Sequence, residues 1–424
     1  MFALMTVGAQ AQGLGELYRA ALAGNPLLKG REFDAERARA ESDGIRSRLL
    51  PQVIAQAGWS RNEFRDRTND LSYDGKRASL VARLALFDPA VRGRLEASRS
   101  VIAQREQDLA QARLELFGEL LERYLQALAA QDRQASLAAE AQAARQQVDR
   151  LRAMRERQMA KVTDLAEAQA YVQGLATRTI DAGNERAVAL LRLGELSGTV
   201  VKQVPALVRT TFEPIAGVPA ERIADALRSN RRLAALAQAV EATRRNVDAI
   251  RAERLPQVAA TLSRTYADQG FDNRQQPPYH ATSLGLELRV PLYEGGRVDA
   301  AQREALARQG AVEQQLEAAR REISRETETF LLSAQANHAR IGSTDLEVLA
   351  LGQVVQAQEK GLELGVSRIT DLFDARRRLL EARAEQAKAR YDYVRDAVAL
   401  KIRTGELTDA DVALWDRWFD SSGR

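Results

Sequence analysis

The ten prolines of this chain fall at positions 26, 51, 89, 205, 214, 219, 256, 277, 278 and 291. None lies between 90 and 204, and none follows 291. A proline inside a helix removes a backbone donor and clashes with the preceding turn, at a cost of about 3 kcal/mol. Two proline-free stretches of more than 100 residues are what very long helices require. Composition agrees. Aromatic residues make up 5% of the 424, too few for an ordinary globular core of that size. Ala, Leu, Arg, Glu and Gln take their place, and these favour long helices.

The chain is also an internal duplication. Ala21-Leu22 and Asn25 recur as Ala226-Leu227 and Asn230, 205 residues later. Leu50-Pro51-Gln52-Val53 recurs at the same offset as Leu255-Pro256-Gln257-Val258. Ser79-Leu80 returns as Ser283-Leu284, Thr163-Asp164-Leu165 as Thr370-Asp371-Leu372, and Glu195-Leu196 as Glu406-Leu407. An ordered series at a nearly constant offset marks two copies of one unit. The chain divides into a first repeat over 12–199, a linker over 200–219, a second repeat over 220–412, and a C-terminal tail over 413–424.

Each repeat opens with one helix, over 14–49 and over 220–254, ended by a Leu-Pro step that pushes the residue before it out of the helical region. Strand candidates follow at about 51–62 and 77–88, and again at about 256–266 and 280–293. Leu284, Leu286, Leu288, Val290 and Leu292 alternate with Gly285, Glu287, Arg289 and Pro291, so one face of this strand is apolar and the other carries charge. Leu80, Ala82, Leu84 and Leu86 repeat the pattern with Arg83 opposite, and Val53, Ala55, Ala57, Trp59 with Val258, Ala260, Leu262 supply the partners. Polar turns over 61–78 and 264–281, with Asn69-Asp70, Asp74-Gly75 and Pro277-Pro278, join each pair.

Two readings fit such strands: a soluble antiparallel sheet with one buried face, or a membrane barrel with lipid outside and water inside. The segments have the 9–11 residues that a spanning strand needs. Four strands cannot close a barrel in lipid, because an open edge leaves backbone groups unpaired. If they span a membrane, at least two chains share the barrel.

The long helices occupy 90–198 and 296–405. Leu114, Phe117, Leu121, Tyr124 and Leu128 are spaced 3, 4, 3, 4, and Leu372, Ala375, Leu379, Ala382, Gln386, Ala389 and Tyr393 follow the same coiled-coil rhythm. Leu116, Leu120 and Leu125 flank the first stripe, so that helix meets more than one neighbour. A helix of about 60 residues is about 90 Å long, which predicts an elongated molecule.

Several classes are disfavoured. There are 62 basic and 58 acidic residues, interleaved, so no basic patch invites nucleic acid. With no cysteine, disulfides, thiolate metal sites and a Cys nucleophile are excluded. The two histidines, His280 in an expected strand turn and His338 in a helix, lack ligand spacing and read as incidental. Gly295-Gly296-Arg297 lacks the Gly-Lys-Ser/Thr of a phosphate loop. No cofactor and no enzymatic activity are expected. Residues 1–11, with an apolar Met1 to Val7 and the small-x-small Ala9-Gln10-Ala11, read as the remnant of a signal peptide.

Ala21-Leu22-x-x-Asn25-Pro26, the two Leu-Pro-Gln strand starts, Pro291-Leu292-Tyr293-Glu294-Gly295-Gly296, Gly365-x-x-x-Ile369-Thr370-Asp371-Leu372-x-Asp374-Ala375 and Ala389-Arg390-Tyr391-Asp392-Tyr393 stand in this order along nearly the whole chain. Together they resemble the TolC family of outer-membrane export channels. The resemblance implies an α+β, mostly α membrane protein of the outer membrane, reaching into the periplasm. It implies a homotrimer in which four strands per protomer form a shared transmembrane β-barrel in outer-membrane lipid, continuous with a long α-helical coiled-coil barrel. It also implies an exit duct that works with a periplasmic adaptor (a membrane fusion protein) and an inner-membrane ABC or proton-driven pump.

Asp371 and Asp374 match the aspartates that line the narrowest point of such channels, where rings of carboxylates favour cations and can bind a multivalent blocking cation. Read alone, both are solvated helix-surface acids. The family's latch implies Thr163 and Asp164 as acceptors. Its Arg and Tyr donors are replaced here by Ser367 and Leu362, with Arg368 one position along as the substitute. The lack of a lipid-anchor cysteine favours type I protein secretion over drug efflux. The alternative is a soluble periplasmic coiled-coil adaptor or scaffold, which needs only one hairpin and a separate lipoyl-like module and leaves the duplicated strand pairs unexplained.

Overall fold

The computed structural model describes residues 12–65, 67, 70–158, 161–208, 211–268, 277–405 and 407–419. The expected signal remnant over 1–11 lies outside them, as do Asn69 and residues 269–276 of the second strand turn. The first repeat runs α1 (Leu14–Gly24), α2 (Pro26–Ser47), β1 (Gln52–Arg65), β2 (Asp70–Phe87), α3 (Pro89–Glu156) and α4 (Val162–Ser197). The second repeats that order as α5 (Pro219–Ser229), α6 (Arg231–Ala252), β3 (Gln257–Ala267), β4 (Tyr279–Arg289), α7 (Arg297–Glu363) and α8 (Ile369–Arg403). Then follow α9 (Asp409–Asp416) and a 3-10 turn (Arg417–Phe419). The proline-free stretches become helices of 68 and 67 residues, α3 and α7, each followed by a shorter one.

The single opening helix expected in each repeat is two helices. Asn25 precedes a proline, which drives it out of the helical region to φ −67°, ψ 121°. Its side-chain oxygen then accepts from the backbone N–H groups of Leu27 and Leu28 at 2.9 and 3.1 Å, capping α2. Asn230 takes the same conformation without a following proline. Both asparagines also donate to the C-terminal end of their own repeat's last helix: Asn25 to the Leu196 carbonyl at 3.4 Å, Asn230 to that of Arg403 at 3.1 Å. The repeated asparagine thus ties the start of each repeat to its end.

Two compact units result, and they cut across the repeats: one holds Ala110–Arg231 with residues up to Gly30 and from Arg320, the other Arg31–Leu109 with Arg232–Ala319. The first is helical. Phe117, Leu120, Leu121, Tyr124 and Leu128 of α3 are buried among Leu14, Leu17, Leu193, Val394 and Val398. Both stripes of α3 are therefore covered, and each such side chain contributes about 2 kcal/mol. Gln386, the polar member of the α8 stripe, donates to Asp345 of α7 at 2.7 Å. The expected tail is partly a structured element. Trp415 stacks on Phe117 at 5.7 Å and Phe419 meets Tyr124 edge-on at 5.0 Å, and both are buried. Two aromatics four residues apart share a helical face, and that face closes the end of this core.

The second unit holds the sheet, with strands in the order β1-β2-β3-β4, all antiparallel. β1 and β2 run further than expected, into the polar stretch over 61–78, where Arg65 pairs with Asp70. Polar residues on both faces hide such an extension from the period-2 signal. β4 stops at Arg289, earlier than expected, because Pro291 cannot donate to a ladder. Val290 and Leu292 lie beyond it, and Leu292 is exposed. His280 sits in β4, not in a turn, with its ring 5.0 Å from that of Tyr266 on β3.

Candidate functional site

Two places carry chemistry: the sheet, and the helix tips where α3 turns into α4 and α7 into α8. Register sorts the sheet into two faces. Val53 pairs with Ala82, Ala82 with Leu262, and Leu262 with Leu284. Leu84, Ala260 and Leu286 form the next row of this apolar face. Leu284 is 78% exposed and Leu286 75%. The other face is polar: Arg83 meets Glu287 at 3.6 Å, and the hydroxyls of Ser263 and Ser283 lie 2.7 Å apart. Among the described residues this apolar face stays exposed, and a contiguous exposed apolar patch marks an interaction or membrane surface. β1 and β4 are the outer strands, each paired on one side only within the described residues. β3 and β4 each have 11 residues, the length of a tilted spanning strand. Among the described residues no helix is long and apolar enough to cross a membrane.

At the tips, Gly365 takes φ +73°, and the Gly361 carbonyl accepts from Val366 N–H at 2.8 Å and Ser367 N–H at 3.1 Å. This closes the turn that starts α8 at Ile369. Asp371 is exposed in the first turn of α8, and its carboxylate accepts from the Arg368 backbone N–H at 3.3 Å. A carboxylate there satisfies an orphan donor and suits the positive end of the helix. Asp374 is also exposed and pairs with Arg377 at 3.0 Å. Thr163 and Asp164 occupy the first turn of α4. Within one chain, no hydrogen bond or ion pair among the described residues joins them to Arg368. Among the described residues no cluster of three or more His, Cys, Asp and Glu is arranged to hold a metal.

Beneath the tips, Val148 and Leu151 of α3, Leu165 and Ala168 of α4, Val355 of α7, and Ile369, Leu372 and Phe373 of α8 form one buried cluster. The repeated Asp-Leu pair thus splits its labour: Leu165 and Leu372 enter the core while Asp371 stays outside.

No spacing or motif points to the polar group packed beside this cluster. Arg376 of α8 sits 2.6 Å from Glu359 of α7 and 3.7 Å from Glu140 of α3. Its side chain is 12% exposed and that of Glu140 15%. Tyr171 of α4 donates to Glu140 at 3.3 Å, and its ring stacks on Phe373 at 4.3 Å. Burial pushes the Glu140 carboxyl above the usual carboxylate range, outweighing the pull of Arg376 and Tyr171. Burial, then the charge of Glu140, raises the Tyr171 phenol. In sequence, Arg376 belongs to the run Arg376-Arg377-Arg378, which reads as a solvated face. The only signal available was its place next to the seam position Ala375.

Farther along, a groove of about 630 Å³ lies between α3 and α8, lined by Leu125, Arg133, Lys388 and Arg395 among others. At its wall the Tyr391 hydroxyl donates to Asp132, whose carboxyl burial pushes upward.

Comparison with known proteins agrees with this geometry. The model of the Outer membrane efflux protein family matches residues 17–199 and 223–406, one block in each repeat. Alkaline protease secretion protein AprF of Pseudomonas aeruginosa is 28% identical over 426 residues, covering 97% of this chain and 88% of its own. Outer membrane protein TolC of Vibrio cholerae is 25% identical over 409 residues, covering 95% and 92%. The fold is that of the crystallised Campylobacter jejuni CmeC outer membrane channel, with a TM-score of 0.83 and 17% identity over 97% of this chain and 90% of that one. Matched in both repeats, the chain belongs to the outer membrane efflux protein family, TolC-type transport proteins of the outer membrane and not a family of enzymes.

Proposed function

We propose that three copies of this chain form one channel, the exit duct of a tripartite export system. The observation that carries this reading is the four-stranded sheet with an exposed apolar face and two open edges. Lipid tolerates no open edge, and membrane barrels start at about eight strands. Joining β4 of one copy to β1 of the next removes both edges, and three copies supply twelve strands. The polar face, with Arg83 and Glu287, then lines water.

At the other functional place, the duct narrows at the tips of α7 and α8, where Asp371 and Asp374 from three copies ring the aperture. Such a ring favours cations and takes a blocking multivalent cation. Thr163, Asp164 and Arg368 contribute to holding the tips together between neighbouring copies. A periplasmic adaptor docks on the helices, and an inner-membrane ABC or proton-driven pump supplies the energy. Similarity to AprF, a protease secretion protein by its name, favours type I protein secretion over drug efflux.

The test is single-channel recording in planar bilayers, for the wild type and for Asp371→Ala with Asp374→Ala. The expected result is a small, cation-preferring conductance blocked by multivalent cations from the tip side, with block and preference lost in the double variant. A pore indifferent to both substitutions discards the aspartate gate. Absence of any conductance discards the channel.

A further inference from the structure

The tips are crowded with charged side chains, and among the described residues Arg376 reaches carboxylates on two other helices from a nearly enclosed position. Arg376 is nearly enclosed, and its guanidinium faces a carboxylate on each of two other helices, Glu140 on α3 and Glu359 on α7. Through Glu140 it also reaches Tyr171 on α4, whose ring stacks on Phe373, one turn before Arg376 on α8. Four helices are thus joined at one level by one cation, two carboxylates and one aromatic pair. Asp374, two residues before Arg376, lies on the exposed side of the same helical turn. A shift of α8 large enough to move Asp374 must break the Arg376 contacts or carry α3 and α7 along.

We propose that Arg376 is a positioning residue that holds the first turns of α8, and with them the aspartates at the tip, in the narrow arrangement. The guanidinium suits the task, because it presents several fixed donors and keeps its charge when buried. An enclosed ion pair is also a two-state element. Separating the partners leaves Glu140 without its countercharge in a poorly solvated place, so intermediate positions of α8 are disfavoured. Ser367 and Leu362 do not offer such a link: Ser367 is short, and Leu362 packs on the apolar cluster.

This inference rests on the reading that the duct narrows at these tips. The test is planar-bilayer recording of the full-length protein purified from membranes, comparing wild type with Arg376→Met, Arg376→Lys and Glu140→Gln. Arg376→Met should raise the mean conductance severalfold, Glu140→Gln should raise it less, and Arg376→Lys should stay close to wild type. Glu140→Gln separates positioning from folding. Burial already works against the Glu140 charge, so removing it should leave the thermal unfolding midpoint undiminished while the conductance rises.

Wild-type conductance in both Arg376→Met and Glu140→Gln overturns the proposal. If Arg376→Met does not fold, Glu140→Gln decides alone, a rise supporting the proposal and wild-type conductance overturning it. The aspartate reading is scored separately, by ion preference and cation block in the Asp371→Ala, Asp374→Ala variant. If that variant behaves as wild type while Glu140→Gln conducts more, the aspartate ring fails and the link stands. The opposite pattern removes the link alone.

Discussion

The two helical tips descend from one duplicated segment, and comparing them separates what the fold needs from what one copy has acquired. Leu165 and Ala168 of α4 correspond to Leu372 and Ala375 of α8, 207 residues later. All four are buried in the same cluster. The positions between and after them differ. Ala166 of α4, exposed, stands where α8 has the buried Phe373. Gln169, also exposed, stands where α8 has Arg376. Shared apolar positions bring the helix pairs together. The unshared ones give α8 alone a side chain that reaches α3 and α7. A duplicated unit can keep its core in register while one copy takes on a new task.

Substitutions at paired positions sharpen that contrast. The largest effect belongs to Phe373→Ala, which removes a buried ring and its stack on Tyr171. A loss of about 4 kcal/mol is expected in the thermal unfolding of the detergent-solubilised protein. Ala166→Leu, on the exposed face of α4, should change stability by less than about 0.5 kcal/mol in the same measurement. Arg376→Gln, which gives α8 the residue of α4, should cost about 3 kcal/mol by leaving Glu140 enclosed without its partner. Gln169→Ala should be nearly silent.

The ends of the two last helices offer a second pair. Gly198 and Gly405 both take φ near +70°. A Cβ on Gly198 would meet open space, whereas on Gly405 it would lie 2.6 Å from the Ser229 carbonyl oxygen. Gly198→Ala should cost about 1 kcal/mol from backbone conformation alone. Gly405→Ala should cost more than about 2 kcal/mol, because the C-terminal end of α5 must also shift. Equal losses would mean that the contact with Ser229 carries no weight. Asn25→Ala removes the cap of α2 and should cost about 1 kcal/mol by the same readout.

The smallest effect tests pH. Burial raises the Asp132 carboxyl, so the folded chain holds this proton more tightly than the unfolded chain does. That contribution to stability is full below the unfolded pKa and is lost as pH rises to the folded one. Asp132→Asn keeps an acceptor for Tyr391 without the charge. It should unfold at a slightly higher temperature than wild type at neutral pH, and the gain should vanish once pH falls below the ordinary carboxylate range.

How much of this was legible from residues alone follows from the kind of signal each feature leaves. Ten prolines located both long helices, because a backbone rule acts on every residue of a stretch. The 3-4 spacing over 114–128 identified the buried stripe of α3, and alternation over 284–288 identified the apolar face of β4. Local signals failed where a partner decides. Asn25-Pro26 was visible as a motif, yet the break at Asn230 has no proline and depends on the side chain meeting the Arg403 carbonyl. The polar ends of β1 and β2 carry no alternation, and only their pairing makes them strands. Trp415 and Phe419 looked like a tail because their partners, Phe117 and Tyr124, lie about 300 residues away in the sequence. Arg376 was hidden in a run of three arginines, of which only one turns inward. Asp371 and Asp374, proposed here for the gate, came from family resemblance alone, since an exposed carboxylate leaves no mark in spacing.

The central claim is that separate copies share one barrel through the edges of this sheet. The chain has no cysteine, so paired cysteines can be introduced without background, on β1 at Gln56 or Gly58 and on β4 at Ser283 or Gly285. Mild oxidation in intact outer membranes should then give covalent dimers and trimers for at least one pair, with no product larger than three chains. Chains that stay single for every pair, with both cysteines reactive towards a small thiol reagent, would contradict the shared barrel and with it the channel.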